Sequence, residues 1–163
     1  LDEGVMWNHP DLAANMWVNE DEEYASKEDA EHLYRLGECI GLAFQLRDDY
    51  LDVYGDPKVF GKKIGGDICC NKKTFLLITA MNLATPEQLA RMKEWMEKED
   101  FDAREKIAWF TALYNELGVK EACEKRIHEL FAKCDAYMDG ISVAEEKKVA
   151  LKEFANTILN RNL

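Results

Sequence analysis

Apolar residues recur at Leu33, Leu36, Ile40, Phe44 and Leu51, the spacing of one helix face. Ser26 stands ahead of this run, with Glu28 and Asp29 in what becomes the first turn. A hydroxyl cap and the positive end of the helix dipole both favour that arrangement. The pattern predicts a helix over 26–54, stopped by Gly55-Asp56-Pro57. Residues 57–71 carry Gly61, Gly65 and Gly66 and read as an ordered loop that returns to a helix near Lys72. The stretch 73–83 is compactly apolar (Phe75, Leu76, Leu77, Ile78, Met81) and is expected to be buried. Thr85-Pro86-Glu87-Gln88 combines a Thr cap, Pro at the first helical position and Gln three residues after the cap. Helices over 86–97, 102–117 and 119–138 follow, and Ser142 with Glu145 opens a last one to Asn160. Gly118 and Gly140 stand where helix ends favour a left-handed residue. A short helix is expected over 11–18, after Pro10. No run alternates with period two, so the expected fold class is all-α, its helices joined by short loops.

The chemistry lies between Phe44 and Thr74. Phe44-Gln45-Leu46-Arg47-Asp48-Asp49-Tyr50-Leu51-Asp52 sets three carboxylates on one helix. At 3.6 residues per turn, Asp48, Asp49 and Asp52 share one arc of the surface, with Gln45 in its middle. Gly37 and Gly41 lie near the same arc one and two turns earlier, leaving room for an approach to the backbone. Clustered carboxylates repel one another unless a cation sits among them. Hard oxygen donors with no His or Cys nearby suit Mg²⁺, which shares its shell with water and phosphate. A solvated acidic face is the competing reading; Phe44, Leu46 and Leu51 flanking the acids argue against it. The loop that follows supplies the opposite charge: Gly61-Lys62-Lys63-Ile64-Gly65-Gly66-Asp67 and Asn71-Lys72-Lys73-Thr74. Lysine is a flexible point charge suited to a diphosphate, and glycines permit the turns that bring it back toward the acids. Taken alone this is a Gly/Lys surface loop; in fixed order after the acids it describes a site for a Mg²⁺–diphosphate complex.

These residues resemble the trans-isoprenyl diphosphate synthases, the farnesyl and geranylgeranyl diphosphate synthase (polyprenyl synthetase) family. The family's second aspartate-rich motif, FQxxDDxxD, is matched by Phe44 through Asp52. The GDP, GKxxGxD and NK-near-Thr strings that follow it there are matched by Gly55-Asp56-Pro57, Gly61 to Asp67 and Asn71 to Thr74. The resemblance runs from Ser26 to the C-terminus. It implies a helical bundle of the isoprenoid synthase type, of which 26–163 is the C-terminal half, with 1–25 unassigned. It implies Asp48 and Asp52 as Mg²⁺ ligands with Asp49 in the adjacent shell. It implies Lys62 and Lys72 as holders of the allylic diphosphate or the departing pyrophosphate, and Gln45 as the polar residue steadying developing positive charge. In the family, an allylic diphosphate loses pyrophosphate and the double bond of isopentenyl diphosphate attacks the resulting cation. The family's first aspartate-rich motif with its arginines has no counterpart here, nor does its GGKR-type isopentenyl site. The acidic run Asn19 to Glu23 does not replace them. The isolated chain is therefore expected to be inactive by itself, and to cover exposed apolar surface as a homodimer or higher oligomer. A non-catalytic helical subunit of an active prenyltransferase is the alternative; the motif order disfavours a terpene cyclase.

Composition narrows the partners. Lys and Arg total 21 against 32 Asp and Glu, a net charge of −11. That balance argues against nucleic acid or an anionic membrane surface. No apolar stretch reaches the length of a membrane span, and the opening residues lack the pattern of a signal peptide. Five cysteines without a CxxC pair suggest reduced thiols in a cytoplasmic protein. His9, His32 and His128 are scattered, and Trp7, Trp17, Trp95 and Trp109 read as packing residues.

Overall fold

A computed structural model describes residues 26–56 and 64–159. All regular structure in these residues is helical, and seven helices follow in chain order. They are α1 (Lys27–Tyr54), α2 (Gly66–Cys69), α3 (Phe75–Leu83), α4 (Pro86–Glu97), α5 (Ala103–Glu116), α6 (Val119–Gly140) and α7 (Glu145–Leu159). The helix expected over 11–18 falls outside the described residues.

Local sequence accounts for the boundaries. Ser26 caps α1 through a reciprocal box: Asp29 donates its N–H to Ser26 Oγ (3.1 Å), and Ser26 donates its N–H back to Asp29 Oδ2 (3.2 Å). Thr85 and Gln88 build the same box at α4, with Pro86 at its first position. Asp102 Oδ1 accepts the first free N–H groups of α5, and Thr74 Oγ1 accepts from Leu77 at the start of α3. Gly118 turns left-handed between α5 and α6, at φ 69°.

Four expectations are corrected. Residues 57–71 were expected to be loop throughout, yet Gly66–Cys69 closes a single helical turn; the turn is too short for periodicity to reveal. The next helix starts at Phe75 rather than near Lys72, because the Thr74 hydroxyl supplies the cap. Gly140 is not a left-handed helix end but the last residue of α6. A Cβ there would stand 2.8 Å from His32 Nε2, so its smallness admits a ring from α1. Finally, Leu33, Phe44 and Ile78 stay exposed although they continue apolar stripes, while Ala43, Cys39 and Tyr50 are buried in their place.

The longest helices, α1 and α6, pack on each other more extensively than any other pair. They run antiparallel, because each half of α1 meets the opposite half of α6. One core gathers Tyr50, Leu51 and Val53 of α1 with Val119, Cys123 and Ile127 of α6, joined by side chains of α2, α3, α4 and α5. A second joins Leu36, Cys39, Ile40 and Ala43 to Leu130, Cys134 and Met138, closed by Ile141 and by Ala155 of α7. Leu46 and Phe131 lean on both cores. Each aliphatic side chain sealed here contributes about 1.5–3 kcal/mol over an exposed one. Tyr50 fastens the helix pair by donating its hydroxyl to Glu124 Oε1 at 2.6 Å. All five cysteines are free thiols. Among the described residues no helix is long and apolar enough to cross a membrane.

Candidate active site

The last three turns of α1 carry the acids, and the helix gives each a different setting. Asp49 turns inward and is 5% exposed. Its Oδ1 accepts from Gln45 Nε2 (2.8 Å) one turn earlier and from Lys72 Nζ (2.9 Å). Asp48 is half-buried and has no hydrogen-bond or ion-pair partner among the described residues. Asp52, one turn on, is half-buried and ties the following segment to the helix. Its Oδ2 accepts the N–H of Asp67 (2.9 Å), and its main-chain carbonyl accepts the N–H of Gly65 (2.6 Å).

That segment folds back because Gly65 takes φ +83°, a left-handed turn that side chains resist. α2 then delivers Asp67, and Lys72 donates its N–H to the Asp67 carbonyl at 2.9 Å. The Lys72 ammonium lies between two carboxylates, 2.9 Å from Asp49 Oδ1 and 2.9 Å from Asp67 Oδ2. One ammonium thus links α1 to the returning chain and retains one further N–H to donate.

The electrostatics follow from this placement. The bond to Asp67, and after it the one to Asp49, pushes the Lys72 ammonium above the ordinary lysine range against the effect of desolvation. Burial, followed by the charge of Asp67, lifts the Asp52 carboxyl above the usual range; the N–H groups of Asp67 and Gly66 work the other way. Asp49 and Asp67 are compensated through Lys72. Asp48 and Asp52 form no ion pair among the described residues, and Asp52 feels the Lys72 charge only at a distance, as a pull that lowers its pKa against the effect of burial.

On the same helix, a Cβ added at Gly37 or Gly41 would meet nothing within 4 Å. Leu42 and Phe44 flank these glycines and are exposed. An open, partly apolar surface therefore leads along α1 to the carboxylates.

A family model described as polyprenyl synthetase matches residues 13–114. The chain belongs to the polyprenyl synthetase family. Rat farnesyl pyrophosphate synthase is 36% identical over 122 residues, covering 75% of this chain and 33% of that protein. A crystal structure of a geranylgeranyl pyrophosphate synthase superposes with a TM-score of 0.73 at 32% identity, over 85% of this chain and 43% of that one. A second, from Corynebacterium glutamicum, complexed with isoprenyl diphosphate and magnesium, gives 0.71 at 34% identity over 84% and 39%. The chain spans about a third of the length of the curated relatives it matches.

Within this chain the structure brings Gln45, Asp49 and Lys72 into direct contact and sets Asp48 and Asp52 on neighbouring turns. Lys62 lies outside the described residues. Among those that are described, no three Asp, Glu, His or Cys side chains come close enough to enclose a metal ion by themselves. Sequence reasoning passed over two residues. Asp67 ends the Gly61-to-Asp67 string, and an acid placed five residues before a lysine was the available signal. Lys106 is fully buried on α5. It stands at the first place of a Lys106, Phe110, Leu113, Tyr114 stripe, where the spacing calls for an apolar residue.

Proposed function

We propose that this polyprenyl synthetase chain contributes the allylic-diphosphate side of a trans-prenyltransferase that joins an allylic diphosphate to isopentenyl diphosphate. The observation that supports it most is the contrast between Asp49, whose Oδ1 is held by Gln45 and Lys72, and Asp48 and Asp52, which form no ion pair among the described residues. Donors that are all oxygen, with one carboxyl raised by burial and a neighbouring acid, fit Mg²⁺, which keeps part of its water and shares phosphate oxygens. Asp48 and Asp52 would hold the ion, with Asp49 behind them as the counter-ion that aims Lys72. When bound, Mg²⁺ supplies positive charge that lowers the cost of releasing pyrophosphate.

The chain's own residues do the rest. Lys72 offers its remaining N–H to the diphosphate, and Lys62 is assigned the same task from the sequence. Their donors are aimed where negative charge grows as the allylic carbon–oxygen bond breaks, and this is electrostatic stabilisation of a leaving group. Gln45, exposed on α1 and held through its Nε2 bond to Asp49, steadies the allylic cation. The exposed surface along Leu33 and Phe44, on the same side of α1 as Asp48, is the apolar floor for the isoprenoid chain. The chain binds the diphosphate and associates into a homodimer or higher oligomer.

Calorimetry with Mg²⁺ and pyrophosphate together tests this reading. Heat of binding is expected that needs both solutes and that weakens roughly tenfold or more in Asp48→Asn. An absence of heat with the folded wild-type chain would overturn it.

A further inference from the structure

Lys106 is a buried cation with no anion beside it among the described residues. It is fully sealed on α5. Its ammonium donates to Asn71 Oδ1 at 2.7 Å and to the Cys69 carbonyl at 3.4 Å, and it lies 4.3 Å from the centre of the Phe101 ring. It forms no ion pair among the described residues. Removing an ammonium from water without a counter-charge is costly, and a methionine of similar shape would avoid the cost. Its hydrogen bonds share one direction, since both go to the residues just before Lys72.

Asn71 has φ 53° and is the one described residue other than glycine with a positive φ. Such a backbone persists only where its surroundings over-determine it. Here the carboxamide is gripped at both ends, accepting from Lys106 and donating to the Met96 carbonyl (2.9 Å) at the end of α4. The chain then passes directly to Lys72, whose ammonium spans Asp49 and Asp67. The other end of the segment rests on the next residue of α5, because a Cβ at Gly65 would stand 2.5 Å from Ile107 Cδ1. Consecutive residues of α5 therefore prop both ends of the returning segment.

We propose that Lys106 is a positioning residue: acting through Asn71, it fixes the backbone from which Lys72 reaches Asp49 and Asp67. By this route it sets the affinity for magnesium pyrophosphate without touching the ligand. The second half of the statement rests on the function proposed above.

The test uses Lys106→Met in the full chain with two readouts. The first is the acetylation rate of Lys72 in the ligand-free protein, followed by mass spectrometry; the ion pairs shield that amine, and the variant is expected to react several-fold faster. The second is calorimetry with Mg²⁺ and pyrophosphate, where affinity is expected to fall roughly tenfold, a coupling size typical of contacting networks. In a Lys72→Met background the same substitution is expected to add nothing, whereas a merely structural role would add its loss in full. Should Lys106→Met fail to fold, Asn71→Gly keeps the left-handed backbone, cuts the same link and is expected to give the same two changes. Lys72 reacting at the wild-type rate in a folded variant, or additive losses in the double variant, would overturn the proposal. A wild type that binds no magnesium pyrophosphate removes the functional reading, and the acetylation rates still decide whether Lys106 positions Lys72.

Discussion

Lys72 and Asp49 form an ion pair whose ends see different surroundings: Nζ and Oδ1 are 2.9 Å apart, with the carboxylate side chain 7% exposed and the lysine 44%. The sealed end sets the energetics. Without Lys72, Asp49 keeps Gln45 alone as a side-chain donor among the described residues and remains a charge in a poorly solvated place.

Lys72→Met is expected to cost about 1–3 kcal/mol, toward the lower end because solvent screens the half-open lysine. The folded lysine has a raised pKa, so its contribution is complete below the free-lysine value of about 10.4 and fades as pH climbs beyond it. Urea midpoints measured from neutral pH upward should converge for wild type and variant above that value. A constant gap would contradict the assignment.

Asp52→Asn should separate folding from binding. The change removes a charge raised by burial and by Asp67, while an amide oxygen can still accept the Asp67 N–H. Thermal stability is expected to hold within about 1 kcal/mol or to rise, whereas affinity for magnesium pyrophosphate falls at least roughly tenfold. Paired melting and calorimetry check both halves. Loss of the fold with affinity intact would reverse the reading.

Gly65→Ala should damage the returning segment twice, through the left-handed backbone and through contact with the Ile107 side chain. The expected cost is about 2–4 kcal/mol, of which the backbone share is about 1–2. Adding Ile107→Ala opens the space the methyl group needs. Denaturant unfolding of the double variant should therefore show a cost smaller than the sum of the single ones.

Asp29 joins the first turn of α1 to the entry of α7. Its two oxygens accept from Ser142 N (2.6 Å) and Ser142 Oγ (2.5 Å) as well as from Ser26 N (3.2 Å). The bonds from Ser142, first the hydroxyl and then the N–H, hold the carboxyl below its usual range. Its stabilising effect is present above the unfolded-state value of about 3.9 and is lost as pH falls through the folded value. Asp29→Asn should lower the urea midpoint at pH 7, and the difference should shrink on acidification. A gap that widens in acid would point to another group.

The helices were legible wherever a boundary is written in local chemistry. Ser26, Thr85 and Asp102 each place an oxygen before a run of free N–H groups, and α1, α4 and α5 begin where these caps put them. The stripe on α1 was legible only in part. Leu36, Ile40 and Leu51 face α6, but Leu33 and Phe44 share the apolar spacing and remain in solvent, because periodicity says what a face is and not what covers it. The acids of the site were visible in one short string. What joins them to the rest was not, since the Lys72 bridge, the Asp52 tether and the Lys106 support bring together residues from α1, the returning segment and α5. Long-range partners of that kind leave no mark on local spacing.

Leu46 and Phe131 lean on both cores, one from each of the two longest helices. The pair gives the molecule a continuous spine in place of two separate lobes. A defect at the Ala155 end can loosen the contacts that brace Tyr50 and Leu51, and so reach the turns that carry Asp49 and Asp52. Heat should melt such a body in one cooperative step, with its acidic rim failing together with its far end.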